Sequence, residues 1–141
     1  MTMTDLDDAH SAREWEFCDT STGECTTFTG VLLGRASSHR LEHNHEPGQR
    51  AQGTCHACRW FEVTLIRAED DYVVSFQGHT SIPGETHRHT VHRTRSAYTV
   101  IEVLTQSRDG NTFIPRTSRL ALSEAAARDT GIEGAWIDRA V

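Results

Sequence analysis

RWFEVTLIRAEDDYVVSFQGHTSI, residues 59–82, is the stretch whose reading decides the fold. β-branched and aromatic residues dominate it, and these suit the pleated, half-buried surface of a sheet. Asp70 and Asp71 interrupt it with turn chemistry, so it predicts two strands joined by a short connection. Downstream, Pro83-Gly84 breaks the pattern. ETHRHTVHRT (85–94) and SAYTVIEVLTQS (96–107) then read as two more alternating segments before the Asp109-Gly110-Asn111 turn. Upstream, Trp15 and Phe17 alternate with Glu14 and Glu16, DTSTGE (19–24) is turn-like, and CTTFTGVLL (25–33) is rich in β-formers. Residues 14–34 are therefore expected to form a hairpin.

At least five strands with short connections predict a mainly antiparallel sheet, a small barrel or sandwich. The C-terminal end differs. SRLALSEAAARDTGI (118–132) is rich in Ala, Leu and Glu, which places one helix at about residues 117–129. Gly131 followed by Ile132 is expected to act as a left-handed cap, with Trp136 and Ile137 pinning the C-terminus to the body. The fold class expected is thus α+β: an antiparallel sheet, one C-terminal helix, and a loop that needs a tether.

That loop is residues 35–54, an irregular excursion with almost no apolar anchor. A connection of this length in a compact domain is functional, disordered, or held by a ligand. It leads into Cys55 and Cys58, whose C-x2-C spacing lets two thiolates wrap one ion. Within it, His43 and His45 share one side of an extended segment. Four such ligands suit a closed tetrahedral site, so a structural Zn2+ held by His43, His45, Cys55 and Cys58 is expected, with the ion supplying the ordering energy the loop lacks. His39, Glu46 and His56 are substitutes for single ligands. A four-Cys site that adds Cys18 and Cys25 is an alternative, as is a chain that holds no metal.

Other chemistries fit less well. A strand follows Cys58, where a thioredoxin-like thiol needs a helix N-terminus. A zinc deaminase needs a Pro before the first Cys and a spaced H-x-E, neither of which is present. The letters HNH at 43–45 are contiguous, unlike the dispersed residues of HNH nucleases. No nucleophile elbow or phosphate loop appears. The competing class is a metal-dependent hydrolase with an open coordination position.

The 141 residues, 36% hydrophobic and 24% charged, have the composition of one globular domain, with no apolar run long enough to span a bilayer. Residues 1–13 are expected to be a disordered acidic tail, and 14–141 the domain. Residues 1–25 hold seven acids and one Arg, and the remainder 13 of each, so the net charge of −6 comes from the N-terminal end. That end lacks a secretory signal's basic and apolar regions, so a cytoplasmic location is expected, where thiols and metal ligands are favoured over disulfides. In a secreted chain Cys18 and Cys25 would pair instead. All 14 basic residues are Arg, a bias that fits the GC-rich coding of a high-GC bacterium or its phage.

A second cluster, THRHTVHRTR (86–95), would place His87, His89, Val91 and Arg93 on one strand face and Arg88, Thr90, His92 and Thr94 on the other. Arg88, Arg93 and Arg95 are a candidate patch for an anion or an acidic partner, while a polar edge strand is the simpler account. The expected job is non-catalytic binding of a protein partner, with nucleic acid as the second choice.

Overall fold

The computed structural model describes residues 11–38 and 59–140. Among these described residues, seven strands and three helices follow in order: β1 (Arg13–Cys18), β2 (Cys25–Ser37), β3 (Arg59–Ala68), β4 (Asp71–Thr80), β5 (Arg88–Thr94), α1 (Ala97–Leu104), β6 (Gln106–Arg108), β7 (Asn111–Phe113), α2 (Arg116–Ala126) and α3 (Thr130–Ala140). β1 to β5 form one antiparallel sheet in chain order, and β6 pairs with β7 as a small separate hairpin. The expected α+β class with an antiparallel sheet is what forms, as a curled half-barrel.

The opening stretch is its centre. β3 and β4 pair over their whole length, from Arg59 opposite Thr80 to Ala68 opposite Asp71, around a turn in which Glu69 adopts a positive φ of 56°. Both faces of this hairpin are covered, which is why its apolar residues run together instead of alternating cleanly. Val63, Leu65, Tyr72 and Val74 face the helices, among Leu33, Val100, Ile101, Leu104, Leu122 and Ile132. Ile66 and Val73 face the other way, into a second cluster with Phe17 and Phe28 from the first hairpin.

β2 serves both layers by means of a bulge. Leu32 pairs with Ile66 and Gly34 with Leu65, so Leu33 is the extra residue. Leu32 thus packs in the second cluster while Leu33 is buried in the first. At the next position α2 lies directly on the strand: a Cβ on Gly34 would overlap the Ala121 carbonyl oxygen.

The helix pair α2–α3 is clasped to the sheet through Asp129. Its carboxylate accepts from Tyr72 Oη at 2.6 Å, from Arg67 at 3.0 Å, and from the Ile132 backbone N–H at 2.9 Å. The last bond is an N-cap for α3, whose first turn also closes from Glu133 N–H to the Asp129 carbonyl. Arg67 in turn donates to Tyr72 Oη at 2.8 Å. Burial, reinforced by the bond to Asp129, pushes the Tyr72 hydroxyl up to about 12.

Three expectations change. SAYTVIEVLTQS forms α1 and not a strand: Ser96 caps it by accepting from Thr99 N–H, and Val100, Ile101 and Leu104 are its buried residues. Four β-branched residues (Thr99, Val100, Ile101, Val103) hide that helical face from a reading by propensity. The single C-terminal helix becomes α2 and α3, and Gly131 is not a left-handed cap but lies inside α3, where a Cβ would overlap Tyr72 Oη. Trp136 packs on the core as expected, whereas Ile137 is exposed, and Ile132 and Ala135 do its anchoring. Residues 1–10 and the loop 39–58, including its proposed zinc tether, lie outside the described residues. No helix among the described residues is long and apolar enough to cross a membrane.

Two outcomes check this account. Gly34→Ala forces α2 off β2 and is expected to lower stability by about 3 kcal/mol in urea denaturation; a loss under about 0.5 kcal/mol refutes the contact. The raised Tyr72 pKa means the fold prefers the protonated hydroxyl. Its contribution is therefore complete below pH 10 and lost as pH rises from about 10 to about 12. Stability should fall by roughly 2 kcal/mol across that window, and Tyr72→Phe should flatten the fall while costing about 1 kcal/mol at pH 8.

Candidate functional site

Four chain segments meet at one end of the sheet: the end of β2, the start of β3, the end of β4 and the start of β5. Here Ser38 extends the β2–β3 pairing, its N–H donating to the Phe61 carbonyl at 2.8 Å while its hydroxyl accepts from Phe61 N–H at 2.9 Å. The next described residue in the chain is Arg59, two positions before Phe61. The connection carrying His43, His45, Cys55 and Cys58 thus leaves and rejoins the sheet on two neighbouring, paired strands. Those four residues, with His39, Glu46 and His56, lie outside the described residues.

Beside this neck is a cleft of about 670 Å³, lined by Ser38, Trp60, Phe61, Phe76, His79 and Glu85 among others. The consecutive aromatics of β3 fall on opposite faces of the strand and each finds a ring on β4. Trp60 stacks on its partner His79 with centroids 5.4 Å apart, and Phe61 stacks on Phe76 at 5.1 Å. Phe61 lies opposite Gly78, so no cross-strand side chain covers it there.

The rim is charged and braced. Arg59 grips Glu85 through both Nε and a terminal nitrogen, and Thr80 Oγ1 donates to the same carboxylate at 2.7 Å. The Arg59 hydrogen bond, with help from Thr80 and from the Arg59 and Arg88 charges, holds Glu85 down to about 2. Behind Trp60, His79 Nε2 sits 3.0 Å from Glu62 Oε1 without the alignment of a hydrogen bond, and Glu62 also takes Arg35 at 3.1 Å. The His79 and His87 rings meet edge to face.

The second His cluster divides as its alternation predicts, on what is an outer strand of the sheet. His89 turns into the half-barrel, 2.7 Å from Ser75 Oγ and edge-on to Phe17, while Val91 joins the second core cluster. Thr90 and His92 face the helices, lining a hollow with Val103 and Leu104. The three Arg do not gather into one patch: Arg93 and Arg95 both reach Asp71, at 2.7 and 3.6 Å, while Arg88 lines the cleft.

Cys18 and Cys25 are joined to each other by a disulfide at the base of the first hairpin turn. This is the pairing expected only of a secreted chain, and it removes both residues from the four-Cys alternative. Among the described residues no group of three His, Cys, Asp or Glu could hold a metal ion.

In the sequence Trp60, Phe61, Phe76 and His79 stand out only as parts of strands, and Asp19 only as part of a turn. The available signal for the cleft was adjacent aromatics immediately after Cys58, since neighbouring residues on a strand must serve both faces. Compared with protein-family profiles, with characterised proteins and with solved structures, the chain matches none.

Burial lowers the His89 pKa, and the Asp19 carboxylate opposes that shift. In an NMR titration His89 should therefore titrate below 6.5, and Asp19→Asn should lower it further. The stability held by neutral His89 is present above pH 6.5 and is lost as pH falls through its folded value. An unchanged or raised value in Asp19→Asn refutes this electrostatic coupling.

Proposed function

We propose that this chain is a non-catalytic binding protein, bacterial or phage in origin, that engages a protein partner through the cleft end of its sheet. Its β2–β3 connection is proposed to hold a structural Zn2+ on His43, His45, Cys55 and Cys58. The observation that carries this reading is the aromatic cleft at the neck of that connection. Neighbouring antiparallel strands need only two to five residues to connect, and residues 39–58 are far more than this. The excess emerges beside Trp60, Phe61 and Phe76, flanked by Arg59 and Arg88. Aromatic and Arg side chains of this kind are what anchors protein interfaces. A protein is preferred to nucleic acid because Arg93 and Arg95 are committed to Asp71.

The zinc proposal stands on donor type and spacing: two imidazoles and two thiolates complete a tetrahedron and leave no position for water. The hydrolase alternative needs three protein ligands and a bound water. A cytoplasmic location remains compatible with the Cys18–Cys25 bond only if that bond cycles, since reducing compartments keep ordinary pairs open.

Elemental analysis of untagged protein should find about one zinc per chain, lost in Cys55→Ser/Cys58→Ser. A photo-crosslinking residue at Thr86, on the cleft, should capture one discrete protein in the source cells. The same residue at Leu120, exposed on α2, should not, and Trp60→Ala should abolish the adduct. Absence of zinc refutes the metal proposal, and equal labelling from both positions refutes the cleft.

A further inference from the structure

β5 is an outer strand, and an outer strand presents a row of backbone groups with no ladder partner. The turn of the first hairpin covers part of that row, at His89 and Val91. Thr20 N–H donates to the His89 carbonyl at 2.8 Å, His89 N–H donates to Thr20 Oγ1 at 3.0 Å, and Val91 N–H donates to Asp19 Oδ2 at 3.1 Å. These bonds stand in for a sixth strand. The sheet curls far enough for its first hairpin to close on its last strand.

The covering turn is shaped from within. Asp19 accepts from Ser21 and Thr22 N–H, and Gly23, at a φ of 75°, donates to the Asp19 carbonyl. Its attachment is the final rung of the β1–β2 ladder, Cys18 opposite Cys25, and this rung is the disulfide. Both cysteines are exposed, as are Thr20 to Glu24. A solvent-borne thiol can therefore reach the bond that closes the base of the turn covering β5.

We propose that the Cys18–Cys25 disulfide is a redox-controlled lock on the β5 edge. Oxidised, it holds Asp19 and Thr20 in register with His89 and Val91. A dithiol reductant opens it by exchange. One reductant thiolate attacks a Cys sulfur, the S–S bond breaks and a mixed disulfide forms. The second reductant thiol then displaces the protein, leaving Cys18 and Cys25 as thiols and the reductant as its own disulfide, with two electrons and two protons transferred. Without the cross-link the turn frays from its last rung and the edge amides of β5 open. This inference is independent of the cleft and of any zinc.

Amide exchange followed residue by residue in NMR tests it on the full chain, oxidised and after dithiothreitol, with the thiol state confirmed by alkylation. Reduction should speed exchange at His89 and Val91 at least tenfold and leave Val63 to Ile66 unchanged. Cys18→Ser/Cys25→Ser should reproduce the fast edge without reductant and respond to it no further. Thr20→Ala, with the bond intact, should speed exchange at His89. Unchanged edge rates after confirmed reduction, a uniform rise across all strands, or an oxidised protein without the Cys18–Cys25 bond each overturn the lock.

Discussion

One carboxylate carries much of the tertiary structure. Asp129 receives a phenol from β4, a guanidinium from β3 and the Ile132 N–H in the first turn of α3, so sheet, helix pair and helix start are fixed at one point. Each partner offsets the desolvation of the others. A half-buried anion is costly without donors, and Tyr72, Arg67 and the helix terminus supply them. This also sets the chain's path: α2 and α3 are separated by only Ala127, Arg128 and Asp129, so the clasp decides where both helices lie. Gly131 and Gly34 are consequences, since the helices thus held approach Tyr72 and β2 too closely for a Cβ at either position.

A five-stranded sheet has two faces and two edges, and the chain treats each differently. One face is buried by the helices and the other by the sheet's own curl, with the Leu33 bulge letting a single strand feed both cores. Curling brings the first hairpin to β5 and so covers an edge that would otherwise invite pairing with another chain. That solution relies on side-chain and turn hydrogen bonds in place of a ladder. It is therefore weaker than the rest of the sheet, and a single covalent rung at the turn's base has a large effect on it.

The fold was more legible in the sequence than the site. The β3–β4 stretch, the first hairpin and the β5 alternation could be read because propensity, pattern and turn residues agree there. α1 has a strand-like sequence because Val100, Ile101 and Val103 favour strands, and the Ser96 cap and the packing of Val100, Ile101 and Leu104 make it a helix. α3 is hidden in the sequence because Gly131 and Gly134 resemble punctuation; the Asp129 that caps the helix is held by Tyr72 and Arg67, far away in sequence. The Cys18–Cys25 pair was visible, but its choice of partner follows from register, which brings the two residues opposite each other. The cleft was hidden for a similar reason: Trp60 meets His79, and Phe61 meets Phe76, only once the hairpin pairs.

The same curl leaves the aromatic cleft at one end of the sheet. A half-barrel closed along its side by the Asp19–Glu24 turn still has ends, and at one of them the strand termini place the half-buried rings of Trp60, Phe61 and Phe76 along a cleft. Folding alone does not require the Arg59–Glu85–Thr80 brace found there: it lies on the surface, where an ion pair adds little to stability. Its effect is geometric, because a bidentate guanidinium and a hydroxyl hold one rim in a fixed shape beside the Phe61–Phe76 pair. Ser38 and Arg59, the last and first described residues on either side of the β2–β3 connection, both line this cleft, so the fold brings them together at one end of the sheet.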